Sequence, residues 1–167
     1  MTRKTAAAIA AYCLLFSTAA CAFEMAEFRS GMTREQVKAA LESWRFDKVL
    51  DGGSHTLLAF DSPNKETNRR LRFDFCNEKL AALEHSVQAS ARNLIVITSN
   101  FNNSFGQPMK VDAGINVLSV GEKNVLALNW RRNNEIIGVR YLLLPGAEEL
   151  TVAYEAPNTC WQTPRAP

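Results

Sequence analysis

The sequence predicts an α+β fold of two helix-plus-antiparallel-meander units, arranged as a tandem duplication. Three observations predict it. Two segments, one opening at Thr33 and one running up to Phe105, carry apolar residues at helical spacing. Each is followed by short runs that alternate apolar and polar side chains or are rich in β-branched and aromatic residues. The order helix, Gly-containing turns, strands then recurs at a spacing of about sixty residues, although the residue identities do not repeat. The boundaries that follow are 1–22 for a leader, 23–88 and 89–156 for the two units, and 157–167 for a C-terminal tail. Whether the units share one sheet or form two abutting ones stays open at this level.

The leader reads MTRKTAAAIAAYCLLFSTAACA. A short basic start, an apolar run from Ala6 to Phe16 and a set of small residues follow the order of a secretory signal peptide. The apolar run is too short for a bilayer span, which takes roughly 20 apolar residues. Two cuts compete. Ala20-Cys21-Ala22 is an A-x-A site that would start the mature chain at Phe23. STAAC resembles a bacterial lipobox that would acylate Cys21, although Thr18 stands where such a motif usually has Leu. The A-x-A match favours release into the periplasm or secretion; acylation of Cys21 would instead anchor the chain by lipid to the outer membrane.

The first helix is expected from Thr33 to about Trp44. Thr33 and Gln36 form the N-cap and N3 positions of a capping box, and Val37, Ala40, Leu41 and Trp44 make one apolar stripe. Phe28 and Met32 lie just before it, placed to pack back onto it. Phe46 to Leu50 is a short strand that ends at Asp51-Gly52-Gly53, a hairpin-turn string, and HTLLAFD returns from it. Asn64 to Asn68 is a polar loop. In RRLRFDF, Leu71, Phe73 and Phe75 face one way and Arg72 and Asp74 the other, which sends Asp74 toward solvent. CNEK turns the chain into LAALEHSVQ. In the second half Leu94, Ile97, Phe101 and Phe105 repeat at helical spacing before Gly106 and Pro108, while the β-branched run Ile95 to Thr98 would also suit a strand. Strand runs follow at 115–120, 125–131, 135–144 and 149–156, with tight turns at Asn133-Asn134 and Pro145-Gly146.

The composition is that of a folded globular chain, 47% apolar and 22% charged. Without Arg3 and Lys4 of the leader, 17 basic residues balance 17 acidic ones. A neutral domain has no electrostatic footprint for nucleic acid or an anionic membrane surface. Of the four cysteines, Cys13 and Cys21 belong to the leader, which leaves Cys76 and Cys160 in an exported, oxidising setting. A disulfide between them would close a loop of about 84 residues, worth about 4 kcal/mol through unfolded-state entropy. The competing reading is a catalytic Cys76 thiol served by His85 across a hairpin, a pairing that leaves Cys160 unexplained. His55 and His85 lack a paired carboxylate at metal-ligand spacing, and neither lies in a triad pattern. Gly52-Gly53 reads as a turn and not as a phosphate loop. No catalytic, cofactor or metal site is expected, and no cofactor. Arg69, Arg70 and Arg72, with Arg131 and Arg132, sit at strand starts and turns, where basic side chains commonly shield exposed sheet edges.

The string FRSGMTREQVKAAL resembles the opening of the small outer-membrane assembly lipoproteins of the SmpA/OmlA (BamE) family, in which a Phe, a Gly-Met-Thr and an EQV helix start recur. The matching residues are Phe28, Gly31, Met32, Thr33, Glu35, Gln36 and Val37. LRFDFCNEKLAAL is similar to that family's hairpin, and the doubled unit resembles the β-lactamase-inhibitor proteins (BLIP). The resemblance implies a non-enzymatic protein-interaction module of the bacterial cell envelope whose partner is an envelope protein. Two other readings stay open: a small envelope thiol enzyme using Cys76 and His85, and a small-ligand or peptidoglycan binder using the sheet face. The aromatics Phe73, Phe75, Trp130 and Tyr141, which such a binder would use, are expected to be core.

Overall fold

The computed structural model describes residues 22–62 and 68–162. The leader up to Cys21, and with it both cut-site readings, lies outside the described residues, as do residues 63–67 of the polar loop and the last five of the tail. After a short antiparallel pair, β1 (Glu24–Met25) with β2 (Phe28–Arg29), the chain forms α1 (Arg34–Trp44). It continues through β3 (Lys48–Asp51), β4 (Thr56–Phe60), β5 (Arg70–Cys76) and β6 (Lys79–Val87). Then come α2 (Ala91–Phe105), β7 (Lys110–Leu118), β8 (Gly121–Arg132), β9 (Glu135–Leu144) and β10 (Ala147–Glu155).

α1 starts where the capping box says it should. Thr33 Oγ1 accepts from the Gln36 N–H at 3.3 Å, and Gln36 Oε1 accepts from the Thr33 N–H at 2.8 Å. Two of the helix's orphan donors are thereby satisfied. It ends at Arg45, which takes the left-handed conformation at φ 51°. α2 is a helix despite its β-branched run. Ser90 caps its N-terminus through the Asn93 N–H at 3.1 Å, and the Gly106 N–H closes on Asn102 O at 2.9 Å.

Eight strands form one antiparallel sheet in the order β3-β4-β5-β6-β10-β9-β8-β7. The central ladder, β6 against β10, runs from Leu150 opposite Val87 to Glu155 opposite Ala82. Leu57, Phe73, Leu83, Tyr154, Ile137 and Trp130 lie opposite one another in succession across the sheet. Opposed residues share a face, so both helices cover the same side. Val37 and Leu41 of α1 cluster with Phe28, Leu57, Phe73 and Leu83, all buried. Phe28 stands edge-on to Phe73 at 4.8 Å and packs against Trp44 at 5.6 Å. Under α2 lie Trp130, Ile137, Val139, Leu150 and Val152, with Tyr154 shared between the two clusters.

This architecture corrects the expected fold class. The two balanced helix-plus-meander units of a tandem duplication are not what forms: one continuous eight-stranded sheet dominates, and helix makes up only 19% of the described residues. The strands are also unequal, 4 to 9 residues in β3–β6 against 9 to 12 in β7–β10. The physical reason is the β6–β10 ladder. Pairing those two strands satisfies backbone groups that separate units would have left on two further edges.

Two smaller expectations also change. The arginines do not guard edges, because β5 and β8 are interior strands. Arg69 instead grips Asp61, Nε to Oδ2 at 2.8 Å and Nη2 to Oδ1 at 3.1 Å, and lies over the Phe46 ring at 4.6 Å. Asp74 is on the face opposite Phe73 but is not solvated. It is 4% exposed, and Thr56 Oγ1 donates to it at 2.8 Å and Arg72 Nε at 3.0 Å.

Candidate functional site

The structure joins Cys76, the last residue of β5, to Cys160 in the tail, with 2.06 Å between the sulfurs and 5.7 Å between the Cα atoms. The tail approaches through a local turn in which Asn158 Oδ1 accepts from the Cys160 N–H at 3.0 Å and the Trp161 N–H at 3.1 Å. His85 is elsewhere. It lies opposite Leu71, whereas Cys76 lies opposite Lys79, so the two are separated by about 17 Å of strand. The His85 ring stacks on Tyr154 at 6.2 Å, and burial lowers its pKa. The structure therefore does not bring together the sulfur and imidazole that a thiol mechanism would need.

Beside the disulfide is an open cleft of about 750 Å³, bordered by Cys76, Asn77, Lys79, Asn133, Asn134 and Asn158. Lys79 is the one charged side chain among its described lining residues, so no acid–base pair is assembled there. Of the aromatics weighed for a ligand face, Phe73, Phe75 and Trp130 are buried and Tyr141 is half-buried against the α2 cluster. The face opposite the helices carries internally paired charges, such as Arg140 to Glu84 at 3.2 Å. Among the described residues no group of three or more His, Cys, Asp or Glu is placed to hold a metal ion. No helix of the described residues is long and apolar enough to cross a membrane.

The most unusual surface is the β7 edge. Apolar rows that are covered at the centre of the sheet run outward to it: Val152, Val139, Leu128 and Val111 lie opposite one another in turn. At the edge the cover ends. Val111 is 54%, Ile115 69% and Val117 83% exposed, and all three lie on the side the helices occupy. The two edges of the sheet differ sharply. β3 is 4 residues long, and its Asp51 is held by Arg34 and Lys38, each at 2.7 Å. β7 has 9 residues in unbroken register with β8, no proline, and charge only at Lys110 and Asp112. It lacks the devices that normally protect an edge: brevity, proline, a bulge or distributed charge.

No family model, curated protein or solved structure matches this chain.

The β7 edge was only partly legible beforehand. The strand expected at 115–120 begins five residues earlier, and Val120 belongs to the turn, where it is 74% exposed. Its β-branched side chain argues for a strand while its position does not. The available signal was Gly121, with φ +132° and Pro145 Cγ only 2.8 Å from where a Cβ would stand. Few other residues fit there, so the β7–β8 turn is pinned against the β9–β10 turn.

One buried acid lies outside both regions. Glu135 opens β9, is fully buried, and pairs through Oε1 with Arg132 Nε. Burial raises its pKa above the ordinary carboxyl value, and the nearby Tyr154 hydroxyl is raised by its own burial and then by the Glu135 charge. A raised carboxyl binds its proton more tightly in the folded chain than in the unfolded one. Its contribution is therefore most favourable at low pH and is lost as pH rises through the folded-state value. Glu135→Gln is expected to gain melting temperature relative to the native chain on going from pH 4 to pH 8. An offset between the two melting curves that does not change with pH would contradict this.

Proposed function

We propose that this chain is an exported, non-enzymatic protein-interaction module of the bacterial cell envelope, working in the periplasm. The observation that carries the proposal is the β7 edge. A long, regular, apolar edge strand offers unpaired N–H and C=O groups plus side-chain contact area, which is the chemistry of recognition by strand addition. The leader pattern in residues 1–22 and the likeness of Phe28, Gly31, Met32 and Thr33 to the SmpA/OmlA helix start support the envelope assignment. The roughly 17 Å of strand that separates Cys76 from His85 favours it over a thiol enzyme.

A photo-crosslinking residue placed at Val117 in the producing cell tests the reading, with Glu42 on the exposed side of α1 as control. Illumination is expected to yield discrete protein adducts at position 117 and none at 42. Absence of adducts at 117, or equal labelling at both sites, would overturn it.

A further inference from the structure

We infer that the β7 edge is occupied by the β7 edge of a second copy, joined about a two-fold axis through Gly114. This rests on reading β7 as a binding edge, and adds what binds there.

The argument starts from register. Gly114 is the midpoint of the nine-residue strand Lys110–Leu118, so an antiparallel pairing of two copies about Gly114 uses the full length of both. In that register Val111 opposes Val117 of the second copy and Ala113 opposes its Ile115. These four residues lie on one face of the sheet, the side carrying α2. On the other face Asp112 opposes Asn116, and Lys110 opposes Leu118. Apolar meets apolar along the whole helix side. No like charges meet across the seam, because the register sets Lys110 against Leu118 and Asp112 against Asn116, and Lys110 is also paired with Asp112 of its own strand at 2.8 Å. A two-fold interface requires such self-complementarity.

The backbone agrees with the same centre. The β7–β8 connection is a two-residue turn, Ser119-Val120, closed by Leu118 opposite Gly121. Such a turn makes the closing residues a hydrogen-bonded pair. Alternation along the ladder then aims the even-numbered residues of β7 at β8, and the N–H and C=O of Val111, Ala113, Ile115 and Val117 outward. Those are the groups that exchange hydrogen bonds when 113 faces 115 and 111 faces 117. Gly114 faces itself in the close, non-hydrogen-bonded position, where the Cα atoms are about 4.5 Å apart. The result is one continuous sheet of sixteen strands whose remaining edges are the short, charge-guarded β3 strands.

Sedimentation of the purified mature chain is expected to give twice the chain mass, falling twofold to the monomer in Ile115→Lys. Gly114→Cys supplies a register-specific readout. A self-opposed pair at about 4.5 Å lies within disulfide range, so mild oxidation is expected to link most chains of this variant in pairs. Ala113→Cys, displaced from its own copy in this register, is expected to link far less. A monomer at all concentrations, or equal linking of the two cysteine variants, overturns the two-fold pairing. If crosslinks from Val117 in cells still reach other proteins, the binding edge stands and the second copy is the wrong occupant. If they reach nothing, both readings fall together.

Discussion

Trp130→Ala is expected to cost about 3–5 kcal/mol of folding stability, the range for emptying a fully buried tryptophan site. Trp130 is 0% exposed and is the chief link between α2 and the sheet. No residue of α2 is fully buried, so the helix depends on half-buried Leu94, Ile97, Phe101 and Phe105 lying against the sheet. Trp130 meets Phe101 edge-on at 5.4 Å, and its Nε1–H lies 3.1 Å from both Asn102 Oδ1 and Gly106 O. Removing the indole deletes the packing and leaves two acceptors at the end of α2 without their donor. Urea unfolding measures the loss, and hydrogen exchange of α2 is expected to accelerate more than that of α1. Trp130→Phe keeps most of the ring volume and loses the N–H, so its cost should be smaller, about 1–3 kcal/mol. A Trp130→Ala loss below about 1 kcal/mol would mean that α2 docks by other means.

Loss of the disulfide is the second large expected effect. Cys76 and Cys160 are 84 residues apart in sequence, a span that includes β6 to β10 and α2. Opening that loop restores unfolded-state entropy worth about 4 kcal/mol. The double variant Cys76→Ser with Cys160→Ser removes both sulfurs of the bond, so that neither partner is left as a free thiol. It should unfold at lower urea than the native chain, and the native chain with reductant should match it. A native chain equally stable with and without reductant would show that the bond contributes nothing. The tail should loosen in the variant, because beyond Glu155 its backbone is held mainly by the Ala156 N–H to Ala81 O at 2.8 Å and by the Asn158 turn.

Local physics explains which features could be read from the sequence. The Thr33–Gln36 box, the Gly106 end of α2, and the turns at 133–134 and 145–146 all depend on residues within a few positions of each other. Alternation in RRLRFDF placed Phe73 and Phe75 in the core because one strand carries its own period. The same alternation misjudged Asp74, whose burial comes from Thr56 on β4 and from Arg72 beside it. The arginines at strand starts mislead for another reason: a strand does not announce whether it will be an edge. The β7 boundary was lost for a different reason, since Val120 carries a strand-forming side chain in a turn that Gly121 makes possible.

By itself the sequence determined the capped first helix, the second apolar stripe ending at Gly106, and the alternating strands between tight turns. Only the tertiary structure decided that β6 pairs with β10, and with it that a single sheet replaces two units. That pairing also decided that β3 and β7 are the edges, while the β5–β6 register placed Cys76 far from His85. Backbone hydrogen bonds are the same for every residue type, so the choice of ladder partner leaves little trace in any one strand. It is settled by which pairing buries the apolar faces of both strands together, and that comparison exists only once the chain has folded.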